Sequence, residues 1–226
     1  MTGICLTPSL QEGNEDQAAK VLQFYYGKLD YLPLSKSGNN GFTGGQWDDF
    51  DPSGTRACSQ YEFTSEDLLS SSLLSTAIGN WAVHDILVRR KDKFNEVLEG
   101  LAKYAHVDFV DLTGVDERSF PEGWELWRLL RTIPRVGPTR SSKLMARKFP
   151  WLFPIYDSVI KRAVLGGSGN YWVPLHEELR KNDRKLHKRL LDIRGRAQLD
   201  SEISPLRVFD VLAWMDGTGK SRLVLT

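Results

Sequence analysis

Apolar residues recur along this chain at helical spacing, with little of the strict alternation that marks half-buried strands. The clearest case is EGWELWRLLRTI at 122–133, where Leu126, Leu129, Leu130 and Ile133 fall at i, i+3, i+4 and i+7. The same pattern predicts a first helix over 14–28, with Asn14 as N-cap, acids in the first turn and Lys28 near the end. Thr64 and Asp67 form a capping pair that opens SEDLLSSSLLSTAI, and a further helix is predicted over 89–104. Helices are also expected over 138–149, 158–165, one or two within 174–194, and 204–215, the last with Ser204 as cap and Pro205 at the first position. Residues 30–62 are rich in Gly, Ser, Asn and Asp, and read as a long loop with a short hairpin ending in ACSQYEF. The expectation is therefore an all-α fold, mostly helical, with at most a small β-hairpin near the N-terminus. Its segments are a helix and loop (1–63), a helical half (64–120), a block at 121–165, and C-terminal helices (166–226), all within one unit of 226 residues.

Composition narrows the class. Seven Trp, seven Tyr and ten Phe among 226 residues supply the burial that a disordered chain lacks. No run approaches the roughly 18–20 apolar residues needed to span a bilayer, and the start lacks a basic region followed by an apolar one. A cytoplasmic, monomeric protein is expected. Two cysteines, Cys5 and Cys58, cannot by themselves build a four-cysteine zinc or iron-sulfur site. The four histidines have no metal spacing, so no metal and no cofactor is expected.

The net charge of +1 conceals an asymmetry. Residues 125–196 carry 17 basic and 6 acidic residues, a net of +11, whereas the rest carries 13 and 23, a net of −10. A polyanion-binding face accounts for this, and so does a basic surface that answers acidic surface elsewhere in the same fold.

Within the basic region stands Ile133-Pro134-Arg135-Val136-Gly137-Pro138-Thr139-Arg140-Ser141-Ser142-Lys143-Leu144. A helix ends at the first proline, a tight turn passes through Val136-Gly137, and Pro138 is placed to start the next helix. Such a turn points free backbone N–H groups at solvent, where a phosphate can accept them. Arg140, Lys143 and Arg147 then fall on one side of the second helix. Downstream stands Phe153-Pro154-Ile155-Tyr156-Asp157-Ser158-Val159-Ile160-Lys161-Arg162, with Asp157 eighteen positions after Thr139.

Together the two segments resemble the helix-hairpin-helix DNA glycosylase superfamily, whose hairpin reads apolar-Pro-Gly-apolar-Gly and whose catalytic aspartate opens the helix after the hairpin. The match holds at Ile133, Pro134, Val136 and Gly137, and departs at Arg135, where the motif has glycine. Tyr156 is an extra residue before the aspartate, and Val159 stands where a histidine is common. More faintly, Leu73-Leu74-Ser75-Thr76-Ala77 is similar to the superfamily's early Leu-Leu-Ser segment. The resemblance covers 124–165 well and the N-terminal half poorly; over its whole length the chain resembles a bacterial family of unassigned function with this hairpin.

The resemblance implies two helical halves around a cleft and a monofunctional DNA N-glycosylase acting on double-stranded DNA with a flipped nucleotide. Asp157 is the implied catalytic residue; Arg135, Val136, Gly137, Thr139, Arg140, Lys143 and Arg162 are the implied DNA contacts. Thr139 occupies the Schiff-base lysine position of bifunctional members, so no lyase step is expected. For the base pocket the candidates are Tyr156, Trp47 and Trp81, with Tyr61, Trp151 and Trp172 behind them; a tryptophan in such a fold is more often core. The substrate class extends from damaged bases to modified bases of invading phage DNA. Asp157 also reads as an ordinary N-cap. A non-enzymatic DNA-binding hairpin module and a protein-interaction domain stand as alternatives, and the run 180–189 reads as either a solvated helix face or a second phosphate-contacting surface.

Overall fold

The computed structural model describes residues 3–29 and 41–225, and every regular element among them is helical. The chain forms two compact units. Unit 1 combines residues 1–45 with 156–226, and unit 2 is the continuous stretch 46–155. The block expected at 121–165 is therefore divided, with the hairpin in unit 2 and Asp157 in unit 1. No described helix is long and apolar enough to cross a membrane.

Part of the predicted loop, residues 30–40, lies outside the described residues. Among the described residues the hairpin expected to end in ACSQYEF does not form; Thr43–Gln46 and Ala57–Ser59 are single 3₁₀ turns instead. The reason is local. The Asp51 carboxylate accepts from the amides of Thr55 and Arg56 at 3.1–3.2 Å, and Ser59 Oγ donates to the Thr55 carbonyl, which curls the backbone away from any ladder.

In unit 1, α1 (Glu15–Tyr25) follows a short turn at Pro8–Leu10. Asn14 occupies the N-cap position, but its Nδ2 donates to the Pro8 carbonyl rather than capping. The other elements are α7 (Ser158–Ala163), α8 (Trp172–Arg196), α9 (Pro205–Gly217) and α10 (Arg222–Leu225). Helix α9 is the core of this unit: Val208, Phe209, Val211, Leu212, Ala213 and Met215 are all buried. Ser204 caps it by accepting from the Arg207 amide, as its sequence predicts. Gly217 lets α7 approach closely, since a Cβ there would lie 2.5 Å from Val159 Cγ1. Helix α8 breaks at 181–184, where Asn182, Asp183 and Arg184 take left-handed backbone conformations. The basic run is thus not one helix face. Several of its cations already have acidic partners: Lys185 with Glu12, Lys188 with Asp183, Arg189 with Glu15. Three of the run's cations are thus paired with acids of the same unit.

Unit 2 comprises α2 (Ser65–Ser70), α3 (Asn80–His84), α4 (Lys91–Glu99), α5 (Pro121–Arg131) and α6 (Pro138–Lys148). Thr64 and Asp67 make the reciprocal capping box that their spacing predicts. Asp67 does more than cap. Its Oδ2 accepts from Lys148 Nζ at 2.7 Å and its Oδ1 from Arg147 Nε at 3.2 Å, with all three side chains at 3% exposure or less. Arg147 also donates to the carbonyls of Trp47 and Phe50. Arg147 therefore lies in the core rather than on the solvent side expected of it, because helix α6 is covered all round: every residue from Ser141 to Phe149 is buried. Burial pushes the Lys148 ammonium below its ordinary pKa, against the opposing pull of Asp67.

Removing one member of a buried ionic cluster leaves uncompensated charge behind, which costs roughly 3–5 kcal/mol. Asp67→Ala is expected to lower unfolding free energy by that amount in urea titrations, far beyond the loss of an N-cap alone.

Candidate nucleic-acid interface

The hairpin turn is built as its proline predicts. Pro134 and Arg135 are the central residues, and the Val136 amide donates to the Ile133 carbonyl at 3.0 Å. Arg135 takes φ +65°, the left-handed conformation at the second central position of a type II turn. The arginine thus takes a backbone conformation that glycine adopts more readily, and the turn closes with arginine at this position. Gly137, in extended conformation, sits at the N-cap of α6, and Pro138 occupies N1.

Two arginines hold the turn's carbonyls. Arg131 Nη1 donates to Val136 O at 3.2 Å, and Arg140 Nη1 donates to Arg135 O at 3.0 Å while its Nε reaches Ala77 O. With the carbonyls engaged, the amides of Gly137, Thr139 and Arg140 are left without a hydrogen bond among the described residues. These are anion-accepting groups at a helix N-terminus.

Two of the predicted contacts are corrected. Val136 is buried and its amide closes the turn, so it offers nothing to a phosphate. Lys143 is 5% exposed, and its ammonium donates to Leu74 O at 2.8 Å and Thr76 Oγ1 at 2.7 Å. It therefore ties α6 to the 74–76 segment instead of facing solvent. Arg135 is exposed, Thr139 and Arg140 are half-buried, and Arg162, on α7 in unit 1, is exposed.

Beside the turn, unit 2 contains a cleft of about 720 Å³ lined by Trp81, His84, Asp85 and Arg89 from one segment and by Pro134 and Arg135 from the hairpin. Trp81, on α3, is 77% exposed. Trp47, also a base-pocket candidate by sequence, is 1% exposed beneath the Arg147 guanidinium and is a core residue. The cleft wall at Asp85–Arg89 is a π-helical turn between α3 and α4, an irregularity that is frequent at functional sites. The helix predicted over 89–104 reaches only the last residue of this wall, Arg89, and misses His84 and Asp85. The i,i+4 spacing of Asp85 and Arg89 is the one sequence feature that points to it. Arg89 grips Asp85 through Nε at 2.6 Å and Nη2 at 2.8 Å, and the hydrogen bonding and charge of Arg89, helped by Arg90, hold the Asp85 carboxyl below its ordinary pKa.

In unit 1, Asp157 is the N-cap of α7. A single oxygen does the capping: Oδ1 accepts from the amides of Val159 and Ile160 at 2.8 and 2.9 Å. Oδ2 has no hydrogen bond among the described residues, and the side chain is only half-buried. The neighbouring Tyr156 ring lies 5.8 Å from that of Tyr171. Tyr171 is buried with no hydrogen bond on its hydroxyl, and burial, reinforced by the charges of Asp210 and Asp157, raises its pKa well above the ordinary value.

Because left-handed backbone costs an L-residue about 1 kcal/mol that glycine avoids, Arg135→Gly is expected to stabilise the protein by roughly 0.5–1 kcal/mol in urea unfolding. Asp85 is expected to titrate below a free aspartate in side-chain NMR, and Arg89→Met to bring it back up. The stability it contributes is complete above the unfolded carboxyl value near 4 and disappears as pH falls through the lower folded value.

No curated protein and no solved structure is significantly similar to the chain. Residues 18–217 match DUF6308, a family of unknown function, and the chain belongs to that family.

Proposed function

We propose that this protein is a monofunctional DNA N-glycosylase. The observation that supports the reading is the hairpin turn: Arg135 at φ +65° holds a conformation that glycine favours, as the resembled motif's glycine would, and the amides of Gly137, Thr139 and Arg140 are unengaged among the described residues. Those amides, with the Arg135 guanidinium, hold phosphates and position the duplex without reading its sequence.

Asp157 is the acid that suits the chemistry. One of its oxygens is committed to the α7 cap, which fixes the carboxylate, and the other is unbonded. As the C1′–N bond of a flipped nucleotide breaks, its electron pair leaves with the base and positive charge builds on the sugar. A fixed carboxylate stabilises that charge, and water adds to C1′ after giving a proton to Asp157 or to solvent. The departing base takes up a proton, and an abasic site remains. Thr139 at the hairpin's lysine position provides no amine for a Schiff base, so the reaction stops at hydrolysis. Tyr156, half-buried beside the acid, supplies an aromatic face for the base. Damaged bases and bulky modified bases of phage DNA are the substrates to try.

Asn caps a helix nearly as well as Asp but has no charge to offer a cationic transition state. Asp157→Asn is expected to keep unfolding free energy within about 0.5 kcal/mol of wild type. Excision should fall at least about 100-fold. Duplexes carrying diverse damaged and modified bases, followed by abasic-site detection, are the assay. Wild-type excision by the Asn variant would leave Asp157 as a cap only; salt-sensitive duplex binding by the wild type without any abasic product would leave a DNA-binding module.

A further inference from the structure

The cleft beside the hairpin turn has an aromatic wall with nothing on it. The Trp81 indole, 77% exposed, makes no ring contact and no hydrogen bond with any described residue; the residue is engaged through its backbone, whose amide donates to Asn80 Oδ1 and whose carbonyl accepts from the Asp85 amide. Exposed aromatic faces of this size are uncommon on a folded surface, where large rings are usually covered.

The charges around that ring select what can cover it. The Arg135 guanidinium makes no ion pair or hydrogen bond among the described residues. Arg89 is fixed on one edge by Asp85, which leaves its Nη1 unbonded, and His84 is exposed on the same wall. Asp85 thus has its charge answered within the protein, and the cleft presents a flat apolar ring beside two arginines. A ligand that complements it carries a flat ring of its own next to a negative group, which describes a nucleotide. A volume of about 720 Å³ lies within the range of small-ligand sites. In a duplex both faces of each base are covered by neighbours, so only an unstacked base has a face to offer.

We propose that this cleft binds one unpaired deoxynucleotide of a DNA strand, its base stacked on Trp81 and its phosphate held by Arg135 and Arg89 Nη1. The choice of DNA rests on the reading given under Proposed function, because Pro134 and Arg135 belong to the same hairpin. The binding itself needs neither Asp157 nor excision. The π-helical turn at Asp85–Arg89 serves it by holding His84 and Arg89 on the wall that carries Trp81.

The test is fluorescence anisotropy of the full chain with a labelled single-stranded DNA of about 12 nucleotides. RNA of the same sequence and the corresponding blunt duplex are run alongside, at about 50 mM salt. Trp81→Ala is expected to weaken single-strand binding by roughly 10-fold or more, to change duplex binding less than about 2-fold, and to be largely rescued by Trp81→Phe. Arg135→Gln should weaken single-strand binding and flatten its salt dependence. Unchanged affinity in Trp81→Ala, equal losses on single strand and duplex, or tighter binding of RNA than DNA would each overturn the assignment. So would a wild-type dimer in sedimentation that Trp81→Ala dissociates without altering DNA affinity, since a second copy would then be what covers the ring. Base excision measured in parallel separates the two readings: Trp81→Ala that loses strand binding while Asp157→Asn still excises supports the cleft and removes the catalytic aspartate.

Discussion

Asp67 brings one carboxylate, already accepting from the Thr64 amide and hydroxyl, against the Arg147 guanidinium and the Lys148 ammonium, with water excluded from all three. Ions so far from solvent are tolerated only when their hydrogen-bonding positions are filled. Here the Trp47 and Phe50 carbonyls each accept from one of the arginine's two terminal nitrogens. One cluster therefore ties together the cap of α2, the last turn of α6 and the 47–50 segment. Helix α6 is the second helix of the hairpin, so the orientation of its first turn depends on how firmly its last turn is held.

At that first turn the same logic operates with backbone groups. Arg131 and Arg140, one from each helix of the hairpin, donate to the turn's carbonyls, and Lys143 donates to the 74–76 segment. The basic residues of this region thus divide into two kinds. Some neutralise the protein's own oxygen atoms and set the turn's shape; Arg135, held in a conformation that glycine would adopt more cheaply, is the one left over. Strain tolerated at an exposed cation is a reason to look there for a ligand.

What was legible in the sequence follows from what is local. Thr64 with Asp67 and Ser204 ahead of Arg207 mark helix starts through bonds that span three residues, Pro138 after Gly137 marks one through its fixed φ, and each is found where its spacing puts it. The apolar faces of α5 and α9 are equally local. Lys143 and Arg147 escape a local reading because a charged side chain on a short helix is ordinarily solvated; their partners, at Leu74 and Asp67 or at Trp47, lie far away in sequence. Trp47 and Trp81 could not be told apart by composition, yet one is core and the other bare. The π-helical turn has no local signature of its own, since the i,i+4 spacing of Asp85 and Arg89 marks a helical wall but is the spacing of any α-helix.

Unit 1 is assembled from the two ends of the chain, with unit 2 inserted between them. As the polypeptide leaves the ribosome, α1 emerges long before α7, α8 and α9, the helices whose apolar faces complete its core, have been made. The inserted unit is one continuous stretch and can close first, shortening the gap that the ends must later bridge. Until then the apolar face of α1, with Leu22 and Phe24 at its centre, is uncovered, and that interval is when the young chain is most exposed to aggregation.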